Sequence, residues 1–133
     1  MLLAMAKTQQ PRPTEAELEI LRVLWQHGPS TVRDVFETLS KTKPIGYTTV
    51  LKLMQIMAEK DLVRRDEEQR AHVYRARVPQ QETQRQMVRD LLHRAFDDSA
   101  AQLVMQALAS KKTSPEELAQ IRQLLDEFER GAD

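Results

Sequence analysis

The 133 residues carry 20 Lys and Arg against 20 Asp and Glu, with three glycines and no cysteine. That length holds one ordinary domain, or one small domain with an oligomerisation segment. Zero cysteine excludes a disulfide framework and thiolate metal ligation and suits a reducing cytoplasm, no stretch approaches membrane-spanning length, and zero net charge moves any polyanion-binding function into the local distribution of charge.

Residues 1–13 read as a flexible tail. Met1-Leu2-Leu3-Ala4-Met5-Ala6 is apolar but lacks a basic start and falls short of the roughly seven-residue core of a signal peptide; Gln and Pro follow. Thr14-Glu15-Ala16-Glu17 is a capping box that opens a helix with Leu18, Leu21, Leu24 and Trp25 as its buried stripe, closed by Gly28-Pro29. Ser30 is expected to cap a second helix running to about Ser40, with Val32, Val35, Phe36 and Leu39 inward. After the turn Lys41-Thr42-Lys43-Pro44-Ile45-Gly46 comes a third helix from Tyr47 to Lys60, with Val50, Leu53, Met54 and Met57 at helical spacing.

The opposite side of that third helix is polar. Advancing by about 100° per residue groups Thr48, Lys52 and Gln55, with Thr49 on their flank. Hydroxyl, ammonium and amide groups on one exposed helix face suit a DNA major groove, where they meet phosphates and base edges. Thr48 serves equally well as the helix cap. Two strands follow, Leu62 to Arg65 and His72 to Val78, joined by a loop that carries Asp66, Glu67, Glu68 and Arg70. Alternation sends Tyr74 inward and Arg75 and Arg77 outward, so that Arg64, Arg65, Arg70, Arg75 and Arg77 offer guanidinium groups to phosphates flanking the groove. The loop carboxylates either hold the tip away from DNA or pair with arginine. Three helices and a two-stranded wing make a winged helix-turn-helix over residues 14–78, with the third helix as groove reader.

Charge is distributed accordingly. Residues 41–78 have nine Lys and Arg against five Asp and Glu, a balance of +4, and residues 79–133 have seven against ten. From Pro79 onward the pattern predicts three amphipathic helices, about 82–96, 100–109 and 115–130. Their apolar stripes are Met87, Val88, Leu91, Leu92, Ala95 and Phe96; then Leu103, Val104, Ala107 and Leu108; then Leu118, Ile121, Leu124, Leu125 and Phe128. Ser114-Pro115-Glu116-Glu117 caps the last of them. So short a segment is marginal alone. Met87, Leu91, Leu92, Phe96, Leu103, Val104, Leu108, Leu118, Ile121, Leu125 and Phe128 are therefore expected to join two copies across a two-fold axis. The fold class is mainly α with a small β-wing: a winged helix followed by a helical dimerisation region over residues 79–133.

The segments Glu19-Ile20-Leu21-Arg22-Val23-Leu24-Trp25, Tyr47-Thr48-Thr49-Val50 and Val73-Tyr74-Arg75-Ala76, continued by Phe96-Asp97-Asp98-Ser99 and Leu103-Val104, resemble in order and spacing the penicillinase and methicillin-resistance repressor family of BlaI/MecI/CopY type. The resemblance covers about residues 14–130. It implies a dimeric winged-helix repressor on a palindromic operator, with double-stranded DNA and a second copy of the chain as partners and no cofactor. It also places Thr48, Thr49 and Lys52 where the family's recognition helix meets the operator. The copper-responsive branch carries a cysteine cluster, which this chain lacks. In the antibiotic-responsive branch derepression involves cutting an Asn-Phe bond; this chain has no asparagine and reads Gln106-Ala107 there. The inducing signal and any sensor protease are therefore unassigned by sequence.

Enzymatic chemistry has no foothold. His27, His72 and His93 are scattered, and neither an HExxH pair nor a phosphate-cradling glycine motif occurs. Two other readings of the same fold are a protein-interaction adaptor without DNA contact and a regulator that binds an apolar ligand between its domains.

Overall fold

Thr14 opens the first helix as its sequence requires. In the computed structural model, which describes residues 12–68 and 70–131, its hydroxyl accepts the Glu17 N–H at 3.2 Å and its own N–H donates to the Glu17 carboxylate at 2.9 Å. Helix α1 (Glu15–His27) ends at Gly28, whose φ of 81° lets its N–H reach the Leu24 carbonyl. The expected tail lies almost wholly outside the described residues.

The cap of α2 (Val32–Ser40) falls one residue later than expected. Thr31 rather than Ser30 caps it, because the residue three positions on from Thr31 is Asp34, a carboxylate that returns the bond, whereas from Ser30 it is Arg33. Ser30 is released to an extended strand β1 (Ser30–Thr31), its hydroxyl donating to the Gly28 carbonyl at 2.9 Å. Helix α3 (Tyr47–Glu59) and strands β2 (Val63–Asp66) and β3 (Val73–Ala76) follow. The sheet has three strands instead of two, in the order β1-β3-β2 and antiparallel throughout. Local sequence gives little warning of a two-residue strand paired more than forty residues away.

The core sits between α1, α2, α3 and the inner side of the sheet. Ile20, Leu21, Val35, Val50, Met54, Met57 and Leu62 have no exposed surface, and Tyr74 packs inward as expected. On α1 the stripe is displaced from the one expected. Ile20 and Val23 are buried while Leu18 and Trp25 are half-buried, and the Trp25 indole N–H donates to the Val78 carbonyl at 2.9 Å. That bond ties the end of the wing to α1.

Helices α4 (Gln80–Ala95), α5 (Ala100–Ser110) and α6 (Pro115–Gly131) complete the chain. Two compact units result, the first running to Gln86 and the second beginning at Met87, so α4 contributes to both. Its first turn buries Thr83 in the first unit. In the second unit Asp97 and Asp98 take consecutive left-handed conformations (φ 48° and 60°), which aspartate tolerates, and Ser99 then caps α5. No residue of α5 or α6 is buried. Met87, Leu91, Val104, Leu108, Leu125 and Phe128 are exposed, Phe128 by 75%; Leu92, Phe96, Leu103, Leu118 and Ile121 are half-buried.

One contact was not foreseen. Glu17, with a relative exposure of 2%, receives the Lys60 ammonium on both carboxylate oxygens at 2.9 Å. Burial pushes its carboxyl up, but the Thr14 backbone N–H, the Lys60 ammonium and the Thr14 hydroxyl outweigh burial and hold it below the ordinary glutamate range. A lowered carboxylate pKa contributes stability that is complete above the unfolded value of about 4.3 and lost as pH falls below it. Glu17→Gln keeps the capping geometry but removes the charge, and is expected to cost about 1–3 kcal/mol at pH 7. Chemical denaturation followed from pH 7 to pH 3 should show the gap closing; a pH-independent gap would mean that the charge contributes none of it.

Candidate nucleic-acid interface

Helix α3 owes its orientation to its two faces and its two ends. Val50, Met54 and Met57 are buried, with Leu53 half-buried, and Thr48, Thr49, Lys52 and Gln55 are all open to solvent. Gly46 is the N-cap and makes no side-chain capping bond, so Thr48 is not the cap and its hydroxyl is free for other use. At the leading end Lys43 meets both oxygens of Glu19 at 3.1 Å; at the trailing end Lys60 meets Glu17. Two carboxylates from the first turns of α1 thus pin the segments on either side of α3.

The wing divides its arginines by face. Register places Val63 opposite Ala76 and Arg65 opposite Tyr74, so these four share the core side of the sheet, while Arg64 lies directly opposite Arg75 on the other side. Arg64 and Arg75 are both exposed. Like charges directly across an antiparallel pair repel, so this face has an electrostatic cost that an anion would relieve. Arg65 is engaged within the protein: its guanidinium bonds the Glu67 carboxylate, and the Tyr74 hydroxyl, then Glu67, raise its pKa further. Of the two fates expected for the loop carboxylates, Glu67 takes internal pairing. Arg70 is exposed near the tip, and Arg77 lies just beyond β3 with its guanidinium 3.5 Å from Asp61.

Sequence reasoning passed over Arg33. Its guanidinium carbon stands 5.6 Å from the centroid of the Tyr47 ring, which itself packs edge-on against Phe36 at 5.7 Å and 76°. Arg33 lies on α2 and Tyr47 begins α3, so no periodicity within either helix relates them. Among the described residues no cluster of three or more His, Cys, Asp and Glu is placed to hold a metal ion, and no helix is long and apolar enough to cross a membrane.

The sequence profile of the penicillinase repressor family matches residues 13–127. The chain belongs to that family. It is 25% identical over 117 residues to the penicillinase repressor of Bacillus licheniformis, covering 88% of this chain and 91% of the relative. It is 30% identical over 118 residues to the transcriptional regulator BlaI of Mycobacterium tuberculosis, covering 88% and 85%. Among solved structures, the DNA-binding domain of the repressor BlaI aligns with 54% of this chain and 88% of its own length, at 26% identity and a TM-score of 0.49. The monomeric form of Bacillus licheniformis BlaI in complex with the blaP half-operator aligns with 56% and 90%, at the same identity and TM-score.

The Arg64–Arg75 juxtaposition has a measurable consequence in the free protein. Arg75→Thr should leave stability unchanged or raise it by up to about 1 kcal/mol, because it removes a like-charge pair from a strand position that favours β-branched residues. A denaturation midpoint that falls by more than that would show Arg75 to be a structural group.

Proposed function

We propose that the protein is a DNA-binding transcriptional repressor that works as a homodimer on a pseudo-palindromic operator. The observation that carries this reading is the open polar face of α3, Thr48, Lys52 and Gln55, on the third helix of a winged arrangement in a member of the penicillinase repressor family. Lys52 meets phosphate; Thr48, Thr49 and Gln55 reach base edges or a thymine methyl. Arg64, Arg70, Arg75 and Arg77 lie along the backbone, where their exposed charge is neutralised, and Arg65 can join them only by giving up its bond to Glu67. The division of labour follows residues 14–78 for DNA and residues 79–133 for association, and the site of action is the cytoplasm.

Dimerisation is supported by apolar surface without cover. Phe128 and Leu125 are 75% and 57% exposed, and Met87, Leu91, Val104 and Leu108 are exposed on the neighbouring helices of the second unit. Soluble monomers rarely leave large apolar patches in water. An isologous seam between α4–α6 of two copies would bury these together with Leu92, Phe96, Leu103, Leu118 and Ile121. Two winged units held by one two-fold axis present their α3 helices one DNA turn apart or a multiple of it. Binding then becomes bivalent, and a signal that parts the C-terminal helices converts it into two weak contacts. Gln106 and Ala107 lie inside α5, so a protease acting there would need that helix to open first.

Two measurements test the reading. Footprinting on DNA upstream of the protein's own coding region should show protection of two half-sites, and Lys52→Ala should weaken binding at every sequence and reduce the salt slope by about one unit. An unprotected upstream region together with salt-insensitive binding would end the DNA assignment. Separately, sedimentation should give a dimer at micromolar concentration, and Leu125→Asp should yield a monomer with a folded winged unit and weak operator affinity, since a charge cannot be left unpaired in an apolar seam. A wild-type monomer would remove dimerisation from the mechanism.

A further inference from the structure

Beside the polar face of α3 runs a cleft of about 510 Å³ with a floor and two walls. Its floor is the row Tyr47, Leu51 and Gln55, spaced four residues apart along one side of α3; Arg33 stands on the wall formed by the start of α2, and Arg65 and Arg70 on the wall formed by the wing. Among the described residues that line it there is no carboxylate. The neighbouring cleft on the wing, about 630 Å³, differs in kind, because Arg64, Arg65 and Arg75 there face Asp66, Glu67 and Glu68. Of these two clefts, the one beside α3 gathers positive charge with no carboxylate among its described lining residues, and of its three arginines Arg65 is the one already paired, with Glu67 from outside the lining.

Arg33 is the member whose placement asks for a ligand. Its side chain is 69% exposed, and its approach to Glu37, at 3.9 Å with Glu37 itself 60% exposed, is at the limit of an ion pair. The Tyr47 ring holds the guanidinium carbon at 5.6 Å, a contact with a π face that consumes none of the group's N–H donors. The Phe36 edge contact fixes the ring in turn. The charge is therefore held in place by apolar surface, a pre-organised donor fork of the kind that binds phosphate oxygens in pairs. From Tyr47 to Gln55 the floor measures about 12 Å along the helix axis, longer than a single inorganic anion fills.

We propose that Arg33 is an operator-contacting residue and that this cleft seats one sugar-phosphate strand of the duplex between α2 and the wing, with Arg33 and Arg70 holding phosphates from opposite walls. The proposal rests on the DNA-binding reading and adds to it a third element, α2, whose contribution is independent of base sequence. It also gives Tyr47 a defined task, which is to position Arg33.

The test is a fluorescence-anisotropy titration of the full chain with a duplex from its own upstream region, at 50 and 200 mM salt. Arg33→Ala should lower the salt slope by about 0.9, so that the advantage of the wild type shrinks about 3.5-fold between the two salt concentrations. Arg33→Lys keeps the charge and should keep the slope. Tyr47→Phe keeps the ring and should match the wild type in slope, whereas Tyr47→Ala should lower the slope, and adding Arg33→Ala to it should cause little further loss. Thermal midpoints of the free variants establish that each is folded, and Arg70→Ala, on the opposite wall, gives a second reading of the cleft with its own drop in slope. Steeply salt-dependent wild-type binding with unchanged slopes in Arg33→Ala and Arg70→Ala would overturn the proposal and leave the DNA assignment standing. Salt-insensitive wild-type binding would overturn both.

Discussion

A helix can report on a DNA groove only if its inclination to the rest of the domain is fixed, and here that inclination depends on the buried carboxylate of Glu17. Its two oxygens are shared among the Thr14 backbone N–H and the Lys60 ammonium, so one side chain both starts α1 and anchors the residue that follows α3. Removing a carboxylate from water is costly, and the cost is offset because both oxygens meet donors that the fold already positions. The companion pair Glu19–Lys43 acts at the other end of α3 but is more exposed, about 39% on each side, and so is the weaker of the two. Packing of Val50, Met54 and Met57 sets the depth of α3 against the core; the two ion pairs limit its remaining freedom to tilt or slide.

The same core places the wing. Tyr74 is buried from β3 while its hydroxyl meets Arg65, and the Trp25 indole holds the Val78 carbonyl, so the base of the hairpin is attached to α1 from below. With the inner face committed to packing, β-strand alternation leaves Arg64 and Arg75 no alternative to facing each other outside. A protein selected for stability alone would place opposite charges or threonines there. The repulsion is tolerated where a polyanion is expected, which is why charge on this chain is informative locally although its total is zero.

The winged arrangement was legible in sequence because its signals are local: the Thr14–Glu17 capping box, the Gly28 stop, the 3.6-residue period of α3 and the two-residue alternation of the wing each lie within a dozen residues. The open face of α3 followed from that period alone. The misplacements have one main cause. The Thr31 cap was local, set by Asp34 three residues on, but the strand status of Ser30, the shift of the α1 stripe toward Ile20 and Val23, and the Glu17–Lys60 and Arg33–Tyr47 contacts are decided by partners elsewhere in the chain. A helical wheel for α1 cannot show that the sheet will cover one flank and leave Leu18 half exposed. Nor does the charge of Arg65 indicate that it will pair with Glu67 on the surface while Arg64, its neighbour, has the Arg75 guanidinium opposite it.

The C-terminal helices close the argument from the opposite direction, through what they leave undone. The starts of these helices are capped: Ser99 starts α5 and the Ser114 hydroxyl accepts the Glu117 N–H at 3.1 Å, so each helix is well begun. Burial is not complete, since α5 and α6 contain no buried residue. Helices of this length draw most of their stability from packing an amphipathic face and little from propensity. Capped starts combined with uncovered stripes are what the proposed association with another chain would complete. If that chain is a second copy, association and folding of this unit are coupled, and whatever weakens the seam also loosens the helices that form it. Regulation would then need no ligand pocket and no change in the winged unit: the affinity for two half-sites would follow the cohesion of the seam, while each α3 kept its own orientation through Glu17.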